Sequence, residues 1–160
     1  MAIDFTTVKT ADLKKYSFST VTATEIADIT SAQIKVLSTA QVAAITSDAI
    51  AAIDSSALQG LNVDQMFALI EAQIQALDPD TQFATLGTTQ VKALGAAQMA
   101  MLTTDQVVAL TTAQAKALTA NQVAGLDTEQ IQAIETGGPA PIPAAELFEV
   151  QRWLLQAVTR

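Results

Sequence analysis

The sequence predicts an all-α fold: an α-solenoid of short capped helices, about two turns each, built from an eight-residue repeat. Three observations predict it. Large aliphatic side chains recur every eight residues, helix-capping residues follow each of them, and glutamine stands three residues after most of the caps.

The aliphatic column runs Val21, Ile29, Leu37, Ile45, Ile53, Leu61, Leu69 and Leu77, then, after one inserted residue, from Leu86 through Leu94, Leu102, Leu110, Leu118 and Leu126 to Ile134. With this column as position 1, position 6 is also large and apolar, as in Ile26, Ile34, Ile50, Met66, Ile74, Phe83 and Val107. Position 2 holds Thr, Ser, Asp, Asn or Gly in every unit except at Ile70, and these are the residues that cap helix N-termini. Position 5 is mostly Gln, for example Gln33, Gln65, Gln90, Gln106 and Gln122. Together they form the capping box: the cap oxygen accepts from the N–H three residues on, and the Gln reaches back to the cap's own N–H. A helix start is therefore specified every eight residues.

A single continuous helix does not fit this period. Eight residues advance about 800°, so the apolar stripe would drift roughly 80° per unit and face no fixed neighbour. Strands fit no better, because positions 1 and 6 would point to opposite faces and Ala, Gln and Asp are poor strand formers. Helices this short are unstable alone, since nucleation costs more than so few hydrogen bonds return. Stacking must stabilise them, and Ala or Gly at position 8 (Ala44, Ala52, Ala109, Gly125) allows close approach.

Ile70 cannot cap. The sequence therefore predicts one longer helix near 62–77, where Val63, Met66, Phe67, Ile70, Ile74 and Leu77 follow i, i+3, i+4 spacing. Asp78 and Pro79 then start a new helix, with the inserted residue shifting the register. This divides the repeats into two arrays, 21–61 and 77–134. Residues 1–20 form an N-terminal capping segment that continues the column weakly through Phe5 and Leu13, and 21–136 is the repeat region. Thr136–Pro143 reads "TGGPAPIP", so 137–143 is a Gly/Pro linker. Residues 144–160 form a C-terminal amphipathic helix.

That helix presents Leu147, Val150 and Leu154 along one stripe, with Phe148 and Trp153 beside it. These five are the candidate partner-binding residues, offering an aromatic anchor to another protein or another copy. The competing reading is a terminal cap that folds back over the last repeat.

Chemistry is sparse. The chain has no Cys and no His, which removes disulfides, thiol catalysis and the commonest general base and metal ligand. The pairs Asp78/Asp80, Asp127/Glu129 and Glu146/Glu149 are explained as caps and first-turn acids. No catalytic, cofactor-binding or metal-binding residues are expected, nor a small-molecule substrate, and the chain reads as a non-enzyme. The net charge is −8, and the repeat region carries 12 carboxylates against Lys35, Lys92 and Lys116. Such a surface repels phosphate backbones, so no nucleic-acid partner is expected. No segment reaches the length of a membrane span, and no Sec-type signal opens the chain. The location is then the cytoplasm, or outside the cell by a non-Sec route.

The tract "ALTTAQAKALTANQVAGL" resembles the Leu-Thr-Thr-x-Gln-Val-x-Ala octad arrays of large bacterial proteins, some described as adhesin-like or exported. The resemblance covers roughly Val21 to Ile134. It implies a bacterial source and a structural or surface-associated role, and it brings no catalytic residues with it. The expected function is a scaffold acting through self-association or protein binding. An exported adhesive module with a C-terminal secretion signal is the alternative.

Overall fold

The computed structural model describes residues 3–136, which are helical with no strand among them. Helices α1 (Ala23–Ile26), α2 (Ser31–Ile34), α3 (Thr39–Ala44), α4 (Ser47–Ala51), α5 (Ser55–Leu58), α6 (Val63–Phe67) and α7 (Glu71–Gln75) come first. A π-helical turn at Pro79–Phe83 follows. Then come α8 (Thr88–Ala93), α9 (Ala96–Ala100), α10 (Thr104–Val108), α11 (Thr112–Ala117), α12 (Ala120–Ala124) and α13 (Thr128–Thr136). One helix forms per octad. Apart from α13 they are four to six residues long, shorter than the two turns expected, because the aliphatic residue of position 1 closes each with an i→i−3 bond such as Leu37 N to Ile34 O, 3.2 Å.

The caps stand where the residues put them. Thr103 has φ −71° and ψ 157°, its hydroxyl accepts from Gln106 N at 3.2 Å, and Gln106 Oε1 accepts from Thr103 N at 3.1 Å. Thr30, Ser38, Asn62, Thr111, Thr119 and Asp127 repeat both bonds.

Residues 62–77 are not one long helix. The chain breaks at Ile70, which takes extended N-cap geometry (φ −89°, ψ 164°) between α6 and α7. Its side chain accepts nothing, yet its N–H still donates to Gln73 Oε1 at 3.0 Å. One half of the reciprocal pair is enough to start the helix when tertiary contacts hold the glutamine in place. Gly87 and Gly95 behave alike, each donating its N–H to the following glutamine at 2.9 Å.

Nor does the inserted residue split the repeats into two arrays. Asp78 caps Thr81 N at 2.8 Å, and the extra residue is absorbed as i→i−5 bonds, Phe83 N to Asp78 O at 2.8 Å and Ala84 N to Pro79 O at 2.9 Å. Gln82 thus lies four residues after its cap instead of three, and still accepts from Asp78 N at 2.8 Å. The unit occupies its place in the sequence of contacts as its neighbours do.

Packing follows a fixed rule. Helices pair with the helix three units on: α1 with α4, α2 with α5, α3 with α6, α8 with α11, α10 with α13. Position 6 is fully buried through Met99, and position 1 is buried through Leu110. Where position 8 is glycine it faces backbone from another unit. At Gly60 an added Cβ would collide with the Ser31 carbonyl and lie 2.8 Å from Ile34 Cγ2, and at Gly125 it would strike the Ala96 carbonyl.

The glutamines tie these units together. From Gln65 onward each Nε2 donates to two backbone carbonyls, or to three at Gln82, Gln98 and Gln114, at the end of a helix 28 to 32 residues earlier. Gln65 reaches Ile34 O (2.8 Å) and Leu37 O (2.7 Å), Gln73 reaches Val42 O and Ile45 O, and Gln106 reaches Ile74 O and Leu77 O. The same holds at Gln82, Gln90, Gln98, Gln114, Gln122 and Gln130. With Oε1 on its own cap, such a side chain is buried with its amide fully engaged; Gln106 is 0% exposed.

The N-terminal residues supply the partners for the first units. Gln33 donates to Phe5 O and Val8 O, and Gln41 to Leu13 O and Tyr16 O. Phe5, Leu13 and Phe18 are buried, with the two phenyl rings 6.1 Å apart. Glu25 holds the position-5 place in the first unit, and there the partner is a donor: Ile3 N–H donates a hydrogen bond to Glu25 Oε1 at 3.2 Å. Gln stands where it meets carbonyls, Glu where it meets an N–H.

Two predictions follow from this geometry. Gln106→Ala strips a buried donor pair from Ile74 O and Leu77 O and should lower stability by about 1–3 kcal/mol. Gln106→Glu should cost more, about 3–5 kcal/mol, because it buries a charge against two carbonyl oxygens; urea unfolding checks the order, and equal losses would refute the donor role. Ile70→Thr should stabilise by about 1 kcal/mol, restoring the missing cap acceptor at a half-exposed site.

Candidate interaction surface

The position-5 side chains look inward and the caps bond their own backbone, so the outer surface is made by positions 2, 3, 4 and 7. In most units these are small or polar, such as Ser31 and Lys35, or Thr39 and Ala43. One unit departs from this at several places together. Val63 stands at position 3, Phe67 at position 7, and Ile70 takes the next position 2. Spaced i, i+4 and i+7, they are the large apolar side chains left in solvent among the described residues, at 50%, 66% and 51% exposure. Phe67 lies over Gly95, where a Cβ would sit 3.1 Å from its ring. A bare backbone thus forms the seat of the ring.

The five sequence-predicted partner-binding residues, Leu147, Phe148, Val150, Trp153 and Leu154, lie outside the described residues. The exposed patch was not singled out from sequence. Its signal was present, in apolar residues at octad positions that are otherwise small or polar, but the same spacing was assigned to the core of a longer helix.

Asp54, Asp78 and Asp127 act as caps. Asp127 accepts from Gln130 N at 2.8 Å, and Asp54 accepts from Ser56 N at 2.8 Å. The Thr81 hydroxyl and N–H hold the Asp78 carboxyl below its ordinary value, and the Ser56 hydroxyl and N–H do the same for Asp54. Glu25 is lowered by the Thr22 N–H, then the Thr22 hydroxyl, with Ile3 N adding to them. Among the described residues no three Asp, Glu, His or Cys side chains gather closely enough to hold a metal ion.

A shallow groove between the π-helical turn and α10 is lined by Pro79, Asp80, Asp105, Val108, Leu110 and Thr111. Its one hydroxyl, on Thr111, is committed to Gln114 through bonds of 3.0 and 3.2 Å. Among the described residues that line it, the two carboxylates Asp80 and Asp105 are the ionisable groups. No helix among the described residues is long and apolar enough to cross a membrane.

The geometry is that of a helical repeat array. Residues 81–112, from the π-helical turn to the start of α11, match the ALTTAQ repeat. The chain is similar to that family over this stretch, and the same capping and glutamine contacts extend on both sides of it. No curated protein matches the chain, and no solved structure does.

The depressed carboxyls fix the sign of the acid response. A group whose pKa is lower folded than unfolded stabilises in full above its ordinary value and loses that contribution as the pH falls through the depressed one. Stability should therefore hold from neutral pH down to the ordinary values of 4.5 for Glu25 and 3.8 for Asp54 and Asp78, then fall below them. Urea midpoints against pH test this, and Asp78→Asn should flatten the acid limb.

Proposed function

We propose that this chain is a non-enzymatic structural scaffold, a solenoid of capped octads that acts by self-association. The observation that carries the reading is the glutamine column, which makes the same bonds 28 to 32 residues back in one unit after another. A stack held by one repeated bond gives a long, uniform body, and its regular hydroxyls and amides are engaged internally. What remains available to other molecules is surface.

The Val63–Phe67–Ile70 patch supports the association, and we assign it to a second copy of this chain. Two such patches face to face are self-complementary, as a two-fold contact requires. The magnitude sets its strength. Three side chains this exposed offer roughly 300 Å², well short of the about 800 Å² per partner of a stable complex. The contact is a weak one that becomes effective when many copies align.

Sedimentation velocity over a range of concentrations tests this. The native chain should show concentration-dependent association, and Phe67→Glu should abolish it without loss of helicity. A native chain that stays monomeric at every concentration, or association that survives Phe67→Glu unchanged, would overturn it.

A further inference from the structure

From Glu25 to Gln130, position 5 carries an amide or a carboxylate in every unit but two, and these are consecutive: Ala49 and Ala57. The backbone around them keeps the pattern of the other units. Thr46 and Asp54 are extended N-caps (ψ 158° and 142°), and α4 and α5 pack on α1 and α2 by the same three-unit rule. Counted back 31 and 28 residues, as from Gln65, the carbonyls that a glutamine would reach are Phe18 O and Val21 O for Ala49, and Ile26 O and Ile29 O for Ala57.

Both sides of that bridge are left over. The N–H of every other cap from Thr22 to Asp127 donates to the side chain at position 5. Among the described residues, the Thr46 and Asp54 N–H groups meet no acceptor, and nothing donates to Val21 O or Ile29 O. Val21 and Ile29 are buried, as are Ala49 and Ala57 themselves, so these carbonyls are shut off from bulk solvent. Nearly all buried backbone groups in folded proteins have a partner, and leaving one without is costly.

We propose that each of these two sites binds water in place of the glutamine amide. The chemistry of the walls selects the occupant. Carbonyl oxygens on one side call for a donor, which excludes an anion, and an N–H on the other calls for an acceptor, which excludes a metal cation or an ammonium group. Water gives two hydrogens and takes two, so it serves two carbonyls and one N–H, about the number of partners that buried waters make. The size agrees. Glutamine exceeds alanine by four heavy atoms, room for about one or two water molecules at roughly 30 Å³ apiece. Because the sites are consecutive, they form one water-bridged seam joining α1 and α2 to α4 and α5, with amide ties on either side of it at Gln41 and Gln65. Phe67 takes no part in the seam, so the proposal stands apart from the self-association reading.

Water contacts of backbone N–H groups in the full-length, isotope-labelled chain test this. The nuclear Overhauser effect between water and the Thr46 and Asp54 N–H protons should carry the sign of a slowly exchanging, bound water. Thr103 N–H, which has the same hydroxyl beside it but donates to Gln106, should show no such effect. Ala49→Gln should erase the effect at Thr46, leave it at Asp54 and raise the urea midpoint, because the chain then supplies the bridge itself. Ala49→Met sets a side chain of similar length without hydrogen-bonding groups in the same place, and should lower the midpoint. Absence of the water signal at either native N–H would overturn the proposal. So would a midpoint lowered by Ala49→Gln, which means that α4 has closed onto α1, or one raised as much by Ala49→Met, which means a dry apolar gap.

Discussion

The bond from a glutamine Nε2 to two carbonyls at a helix end 28 to 32 residues earlier is the constraint on which the structure depends. An α-helix of four to six residues leaves most of its backbone groups without intrahelical partners. Here one side chain supplies both missing kinds of partner. Its Oε1 takes the N–H at the start of its own helix, and its Nε2 takes carbonyls at the end of another, as Gln65 does between Asn62 and Ile34/Leu37. Local order and tertiary order are thereby the same interaction, and neither forms well without the other. Burial of the two aliphatic positions provides the larger share of stabilisation, but it is non-directional. The amide sets which unit sits on which.

This explains why the repeat tolerates change at some positions and not at others. The cap can be Thr, Ser, Asp, Asn, Gly or even Ile, because its acceptor is only one of several contacts. Position 5 varies less, and each variation has a chemical sense where a partner is seen, as with Glu25 facing the N–H of Ile3. At Ala49 and Ala57 the amide is absent and the methyl groups are buried instead, at 0% and 2% exposure. Position 8 is small for a separate reason, since Gly60 and Gly125 lie against carbonyls of other units.

Much of the fold was legible in the sequence because capping is a local effect, written within four residues. Helix starts at Thr103, Thr111 and Thr119, and the small residue at position 8, follow from side-chain chemistry alone. What could not be read was the second use of glutamine, because its partners are backbone carbonyls and carry no residue signature. A hint existed: Gln73, Gln90 and Gln98 persist although Ile70, Gly87 and Gly95 offer no side-chain acceptor, so reciprocal capping was not their whole purpose. Missing that link led directly to the mistaken long helix at 62–77. It also hid the patch, since Val63, Phe67 and Ile70 read as core under that assignment. The insertion near Pro79 misled for a similar reason, a π-helical turn having no clear sequence mark.

Because every unit answers to one laid down about thirty residues before it, the first units have nothing of their own kind to answer to. Residues 3–20 take that part, offering four carbonyls and four buried rings or aliphatic chains to Gln33, Gln41 and their neighbours. They act as a seed in the crystal-growth sense: order begins where a ready-made face exists and advances in one direction, each new layer finding its register on the last. A chain emerging from the ribosome amino end first presents that face before any layer needs it.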